Sequence, residues 1–209
     1  MIVCEGKTEI GILRALDERW AAGHDGVPMA TQGVALVDGC RHGAPAVAKG
    51  FASLGYRTAL LMDSDDRAAD EGVTTAAGSV HVVRWANQVS TEQRIAIDVP
   101  LDVLDALVAW ACEKRGETEI FDAIRSQLGK GAMLTGKTPS EWISGGADEG
   151  AIRRAIGGAS KATKNRDGWY RQIEPAEEIG ALIVRGLDRI GTTDLAQKLQ
   201  LVENWIYGA

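Results

Sequence analysis

The chain has 209 residues, 45% hydrophobic and 25% charged, which excludes a peptide scaffold, a disordered chain and a fibre and leaves room for one main domain with an appended subdomain. No apolar run approaches bilayer length, and residues 1–20 lack the basic start, apolar middle and small-residue cleavage site of a signal peptide, so a cytoplasmic protein with no membrane partner is expected. The formal net charge of −6 speaks against a uniformly basic surface, yet six basic residues (Arg153, Arg154, Lys161, Lys164, Arg166, Arg171) against Asp167 alone fall between Ala151 and Arg171.

In chain order, Ile2-Val3-Cys4 ends a strand, and Ile12, Leu13, Leu16 and Trp20 have the three-four spacing of an amphipathic helix, so strand turns into helix at Glu5-Gly6-Lys7-Thr8. Val34 to Val37 reads as a buried strand stopped by Asp38-Gly39, and Pro45 suits the first turn of a helix running to about Leu54. Thr58 to Met62 is a third strand, followed by Asp63-Ser64-Asp65-Asp66, and Val80 to Trp85 a fourth. Continuous apolar strands alternating with helices indicate an α/β fold with a mostly parallel sheet flanked by helices. Beyond Trp85 only helices are predicted. Ser90 and Gln93 form a capping-box pattern, Leu101 to Ala111 is amphipathic after Pro100, and further helices are expected over 118–128, 139–143, 148–164, 175–189 and 193–206. This gives a core over 1–88 and an all-helical subdomain over 89–209, part of it packing back on the core.

Cys4, Cys40 and Cys112 are widely spaced and predict reduced packing thiols, and the scattered His24, His42 and His81 argue against a histidine-based metal site. The acids are different. In a parallel sheet, ligands gather at the carboxyl ends of strands, and two acidic motifs fall at that edge. Asp63 and Asp65 follow the third strand; Glu5 ends the first, with Glu9 one helical turn on. Four carboxylates converging on one spot cannot all stay ionised without countercharge, and oxygen-only ligands suit Mg²⁺ or Mn²⁺.

The order "IVCEGKTE", "VALVDG", "LLMDSDD" resembles the Toprim domain of topoisomerases, primases and several nucleases. Within that family, "EGKTEIGILRAL" with "SLGYRTALLMDSDD" is most similar to the overcoming-lysogenization-defect (OLD) nucleases, and the likeness covers roughly residues 2–85. The resemblance implies a compact Toprim core, a two-metal mechanism and DNA as substrate. It matches Glu5 to the Toprim glutamate, Asp63 and Asp65 to the D-x-D pair and Glu9 to the second acid of E-G-x-x-E. Glu92 matches the acid that completes the second metal site. It also implies a late basic residue, Lys161 or Lys164, ahead of Trp169-Tyr170. Lys164 is expected to reach the scissile phosphate, with Lys161, Arg166 and Arg171 beside it on nucleic acid. OLD nucleases carry an N-terminal ATPase, whereas these 209 residues begin on the first catalytic strand, as expected of an excised domain or a stand-alone relative.

Four competing readings are weaker. Gly131 to Thr138 satisfies the phosphate-loop pattern G-x-x-x-x-G-K-T, but it follows a helical pattern, and Thr138-Pro139-Ser140-Glu141 is a helix start. An aspartyl phosphotransferase could use Asp63, but its motif normally follows the first strand and leaves Glu5 and Glu9 without a role. A topoisomerase needs a tyrosine nucleophile, and Tyr56, Tyr170 and Tyr207 have no recognisable setting. A non-catalytic Toprim DNA-binding module would gain nothing from acids facing phosphate. Trp110, Trp142 and Trp205 lie in helical patterns and are expected in the core.

Overall fold

The computed structural model describes residues 1–65, 69–129, 134–163 and 167–208. Four parallel strands, β1 (Ile2–Cys4), β2 (Leu36–Asp38), β3 (Ala59–Met62) and β4 (His81–Arg84), form one sheet in the order β2-β1-β3-β4. The chain moves outward from β1 to β2 through α1 (Lys7–Gly23), then back across to β3 through α2 (Ala44–Ser53) and on to β4 through α3 (Asp70–Ala76). The reversal puts the topological switch point between β1 and β3, whose registers align Val3 with Leu60 and Cys4 with Leu61.

Because side chains alternate across a strand, the two faces of the sheet carry separate cores. Ile2, Cys4, Ala59, Leu61 and Val83 face α1, whereas Val3, Leu60 and Met62 face Ala44 and Ala48 of α2 and Val73 and Ala76 of α3. Right-handed crossovers require this: the outward connection covers one face and the two return connections cover the other. The short helix α3 is missing from the sequence reading. Its Gly72, Val73, Thr74 and Thr75 are poor helix formers, and the two threonine hydroxyls donate back to the carbonyls of Asp70 and Glu71 at 2.9 and 2.8 Å.

The remaining helices are α4 (Thr91–Asp98), α5 (Leu101–Arg115), α6 (Glu117–Leu128), α7 (Pro139–Ser144), α8 (Glu149–Ser160), α9 (Ile173–Val184) and α10 (Asp194–Tyr207). Their apolar stripes join the α1-side core, so one hydrophobic cluster runs from the sheet into the helical half. Helix α9 lies along α1 at Gly11, where an added Cβ would come within 2.4 Å of both the Ala176 methyl and the Ile173 carbonyl oxygen. No side chain fits there, and that absence lets the two backbones approach.

The caps read from sequence are present. Ser90 accepts from the Gln93 N–H, and Thr138 accepts from the Glu141 N–H at the start of α7. The segment preceding the phosphate-loop pattern is helix α6, not a strand; Gly131 itself lies outside the described residues. Trp142 is buried as expected, while Trp110 and Trp205 are only partly buried at the core's edge. Among the described residues, no helix is long and apolar enough to cross a membrane.

Candidate active site at the carboxyl edge of the sheet

Glu5 continues the ladder beyond β1, its N–H donating to the Leu61 carbonyl at 2.9 Å, and its carboxylate Oε2 accepts the Asp63 N–H at 2.8 Å. The first acid is thereby tied across the switch point to the start of the D-x-D. Glu9, in the first turn of α1, accepts the Gly6 N–H on Oε2 at 2.9 Å and is buried. That bond resembles an ordinary helix start, where an acid in the first turn meets unpaired backbone donors. Depth distinguishes Glu9 from such a residue, since helix-start acids normally stay in water.

Helix α4 docks its N-terminus on the end of β3. Asp63 Oδ1 accepts both the Thr91 N–H and the Thr91 hydroxyl at 2.7 Å, and that hydroxyl accepts from the Trp85 indole at 2.7 Å. Ser64 and Val89 exchange backbone and hydroxyl bonds at 2.9–3.3 Å. Behind α4, the buried Arg94 bonds Asp98 at 3.1 Å, lies 3.3 Å from Asp194 and donates to the Ala86 carbonyl at 2.7 Å. Arg153 of α8 donates to the carbonyls of Ala96, Ile97 and Val99 at 3.0, 3.2 and 2.8 Å, closing the C-terminal end of α4. With α4 fixed at both ends, Glu92 stands beside Asp63.

Helix α8 then crosses α4 at Gly157, where an added Cβ would meet the Gln93 Cα at 2.8 Å. This close crossing carries the end of α8 to the acids, and Lys161, its C-terminal cap residue, ion-pairs with Asp65. Glu5, Glu9, Asp63, Asp65 and Glu92 all line one open cleft of about 970 Å³, with Lys161 and Arg171 on the facing wall.

Charge in this cleft is poorly balanced. Burial, reinforced by Glu92 and Glu5, pushes the Glu9 carboxyl up to about 8. Burial also holds Asp63 well above the usual carboxylate range, with Glu9 and Glu5 adding to it. Glu92 is raised by burial and by Asp65, while Lys161 pulls it back. Lys161 itself resists burial, but Asp65, Asp63 and Glu92 outweigh that and hold its ammonium above its ordinary value. Buried acids crowded together with few cations among them are a setting in which added positive charge is favourable.

The donor chemistry suits a hard divalent ion: carboxylate oxygens outnumber the softer groups of the cleft, the Cys40 thiol and the His42 imidazole. As the side chains stand, among the described residues no three acid, histidine or cysteine groups are disposed to hold one ion together. The Lys161 ammonium sits on Asp65, where a cation would otherwise be drawn.

Lys164 and Arg166 lie outside the described residues. Arg171 reaches the cleft but pairs with Asp167 at 2.6 Å. Arg153 belongs to the helix-capping framework rather than to the cleft. Lys7, Asp38, Arg41 and His42 also line the cleft and were missed. The signal was available: Asp38-Gly39-Cys40-Arg41 leaves β2 at the same sheet edge as Asp63 leaves β3, and the Arg41 N–H donates to the Glu5 carbonyl at 2.7 Å. The chain matches no family model, no curated protein and no solved structure.

Proposed function

We propose that this chain is the catalytic region of a Toprim-like nuclease that hydrolyses DNA phosphodiester bonds with two divalent metal ions, Mg²⁺ or Mn²⁺. The observation that carries the reading is the convergence of Glu5, Glu9, Asp63, Asp65 and Glu92 on one cleft at the switch point of a parallel sheet. Glu5, Asp63 and Asp65 would hold one ion, and Glu9 and Glu92 would help to hold the other. Such ions supply an activated water and stabilise the leaving oxygen.

The chain's own groups prepare that chemistry. Thr91 holds Asp63 and the Asp63 N–H holds Glu5, which fixes two of the five acids at the sheet edge. With an ion held by the carboxylates, Lys161 would be released from Asp65 and its ammonium would reach toward the phosphate. The OLD nucleases that the chain resembles carry an ATPase region N-terminal to their catalytic region. Tyr170 is fully buried, which does not suit a topoisomerase nucleophile.

Incubation with supercoiled and linear DNA in Mg²⁺, Mn²⁺, Ca²⁺ or EDTA tests the reading. Nicking or shortening that needs Mg²⁺ or Mn²⁺ is expected; full activity in EDTA, or a phosphorylated Asp63 trapped with a phosphate donor, overturns it.

A further inference from the structure

Beside the acid cleft, and sharing Asp167, Arg171 and Gln172 with it, lies a second pocket of about 230 Å³ whose other walls include Trp110, Lys114 and Arg115. Its charge is opposite to that of the cleft: three cations, Lys114, Arg115 and Arg171, stand against one acid, Asp167. The cations are held by exposed or partly exposed partners. Lys114 pairs with Glu178 at 2.8 Å, Arg171 with Asp167 at 2.6 Å, and Arg115 with Glu119 at 3.7 Å, besides donating to the Asp167 backbone carbonyl at 3.0 Å. Pairs of this kind are weak and exchange readily for another anion.

Trp110 is built unlike a core tryptophan. Its indole N–H donates to Glu178 at 2.7 Å and Tyr170 approaches to 6.1 Å between ring centres, so the ring is fixed in place. Over its face stands the Lys114 ammonium, 5.8 Å from the ring centre, on a side chain that is 44% exposed. A flexible lysine can swing aside and free the ring surface, which packed core atoms cannot do.

A fixed aromatic ring, arginines in reach and a direct opening into a carboxylate cleft together match one nucleotide. We infer that this pocket receives an unpaired nucleotide of the DNA strand cut in the cleft, its base stacking on Trp110 and its phosphate taking the place of the Asp167 carboxylate on Arg171 and pairing with Arg115. The base must be unpaired for two reasons. The pocket is smaller than the ~300–1,000 Å³ of typical ligand sites, which admits a single ring system. A base inside a duplex also has both faces covered, whereas stacking on a side chain needs one free.

The inference rests on the nuclease reading, and the two can fail separately. Binding is measured with an Asp63→Asn chain, in the absence of divalent ions, to a labelled single strand and to the same sequence as a duplex. Trp110→Ala should weaken single-strand binding about tenfold, as expected for one lost base–aromatic stack, and leave duplex binding unchanged. Trp110→Phe should recover part of the loss. Undiminished single-strand affinity in Trp110→Ala, or equal losses for both substrates, overturns the subsite even if the parent chain cleaves DNA. Single-strand binding that depends on Trp110, in a parent chain that cleaves nothing with Mg²⁺ or Mn²⁺, overturns the nuclease reading and leaves the subsite standing.

Discussion

The two walls of the cleft are made differently. The sheet wall carries Glu5, Glu9 and Asp63 on the ends of β1 and β3 and the first turn of α1, positions tied by backbone bonds, with Asp65 two residues beyond Asp63. The helical wall carries Lys161 and Arg171 at the end of α8 and on the segment entering α9, partnered through side-chain ion pairs that are partly exposed. Fixed acids and movable bases suit different tasks. Preorganised carboxylates set where charge is held, while long cationic side chains can leave their partners and follow a substrate.

The hardest test of that contrast removes one acid without disturbing the wall. Asp63→Asn keeps an oxygen to accept the Thr91 N–H and hydroxyl, so the fold should survive while cleavage falls to background in Mn²⁺. Gel assays of supercoiled DNA, with circular dichroism as the folding control, check it; retained cleavage removes Asp63 from the site. Alanine is the poorer choice here, because it strands a backbone donor at the start of α4.

The helical wall should respond more gently and in two opposite directions. Lys161→Ala should slow single-turnover cleavage about a hundredfold, the loss typical of one electrostatic stabiliser. It should also tighten Mn²⁺ binding, because the ammonium no longer competes for Asp65. Rapid-quench kinetics and calorimetry check the two halves, and an unchanged rate with unchanged affinity makes Lys161 a surface residue.

A smaller effect lies in pH. Glu9 in the folded chain titrates near 8 against an ordinary 4.5, so between those values the folded state holds a proton that the unfolded state has lost. Its contribution to stability is therefore full at low pH and falls as pH rises toward 8. Thermal melts in EDTA should show this decline, Glu9→Gln should lessen it while Asp63 and Glu92, also raised, keep the rest, and Mn²⁺ should offset it by supplying countercharge. A decline that Glu9→Gln leaves unaltered assigns it to other groups.

The smallest expected effect is none. Lys137 pairs with Glu117 at 3.1 Å on the surface, next to the Thr138 cap, so Lys137→Ala should change neither cleavage nor nucleotide affinity. ATP binding that disappears in this variant would restore the phosphate-loop reading.

Much of the sheet wall was legible in the sequence because its signals are local. A run such as Leu60-Leu61-Met62 ending in Asp63 fixes strand, sheet edge and acid within a few residues, and Glu5-Gly6 followed by Glu9 fixes a strand end and a helix start. The caps at Ser90 and Thr138 are equally local, and both stand where they were read. Low propensity hid α3, whose existence depends on Val73 and Ala76 finding the far face of the sheet.

By itself, then, the sequence determined the α/β class, the parallel strands and the placing of four acids at one edge. That Glu92 and Lys161 join them, which in the sequence rested on the resemblance alone, was decided by the tertiary structure, because it depends on the Gly157 crossing of α8 on α4 and on Arg153 closing α4, contacts between residues far apart in the chain. The tertiary structure also split the basic segment into a helix clasp, an ion-pair partner for Asp65 and a pocket wall. Charge along a chain says how many cations are near, whereas the packing of backbones sets which acid each one meets.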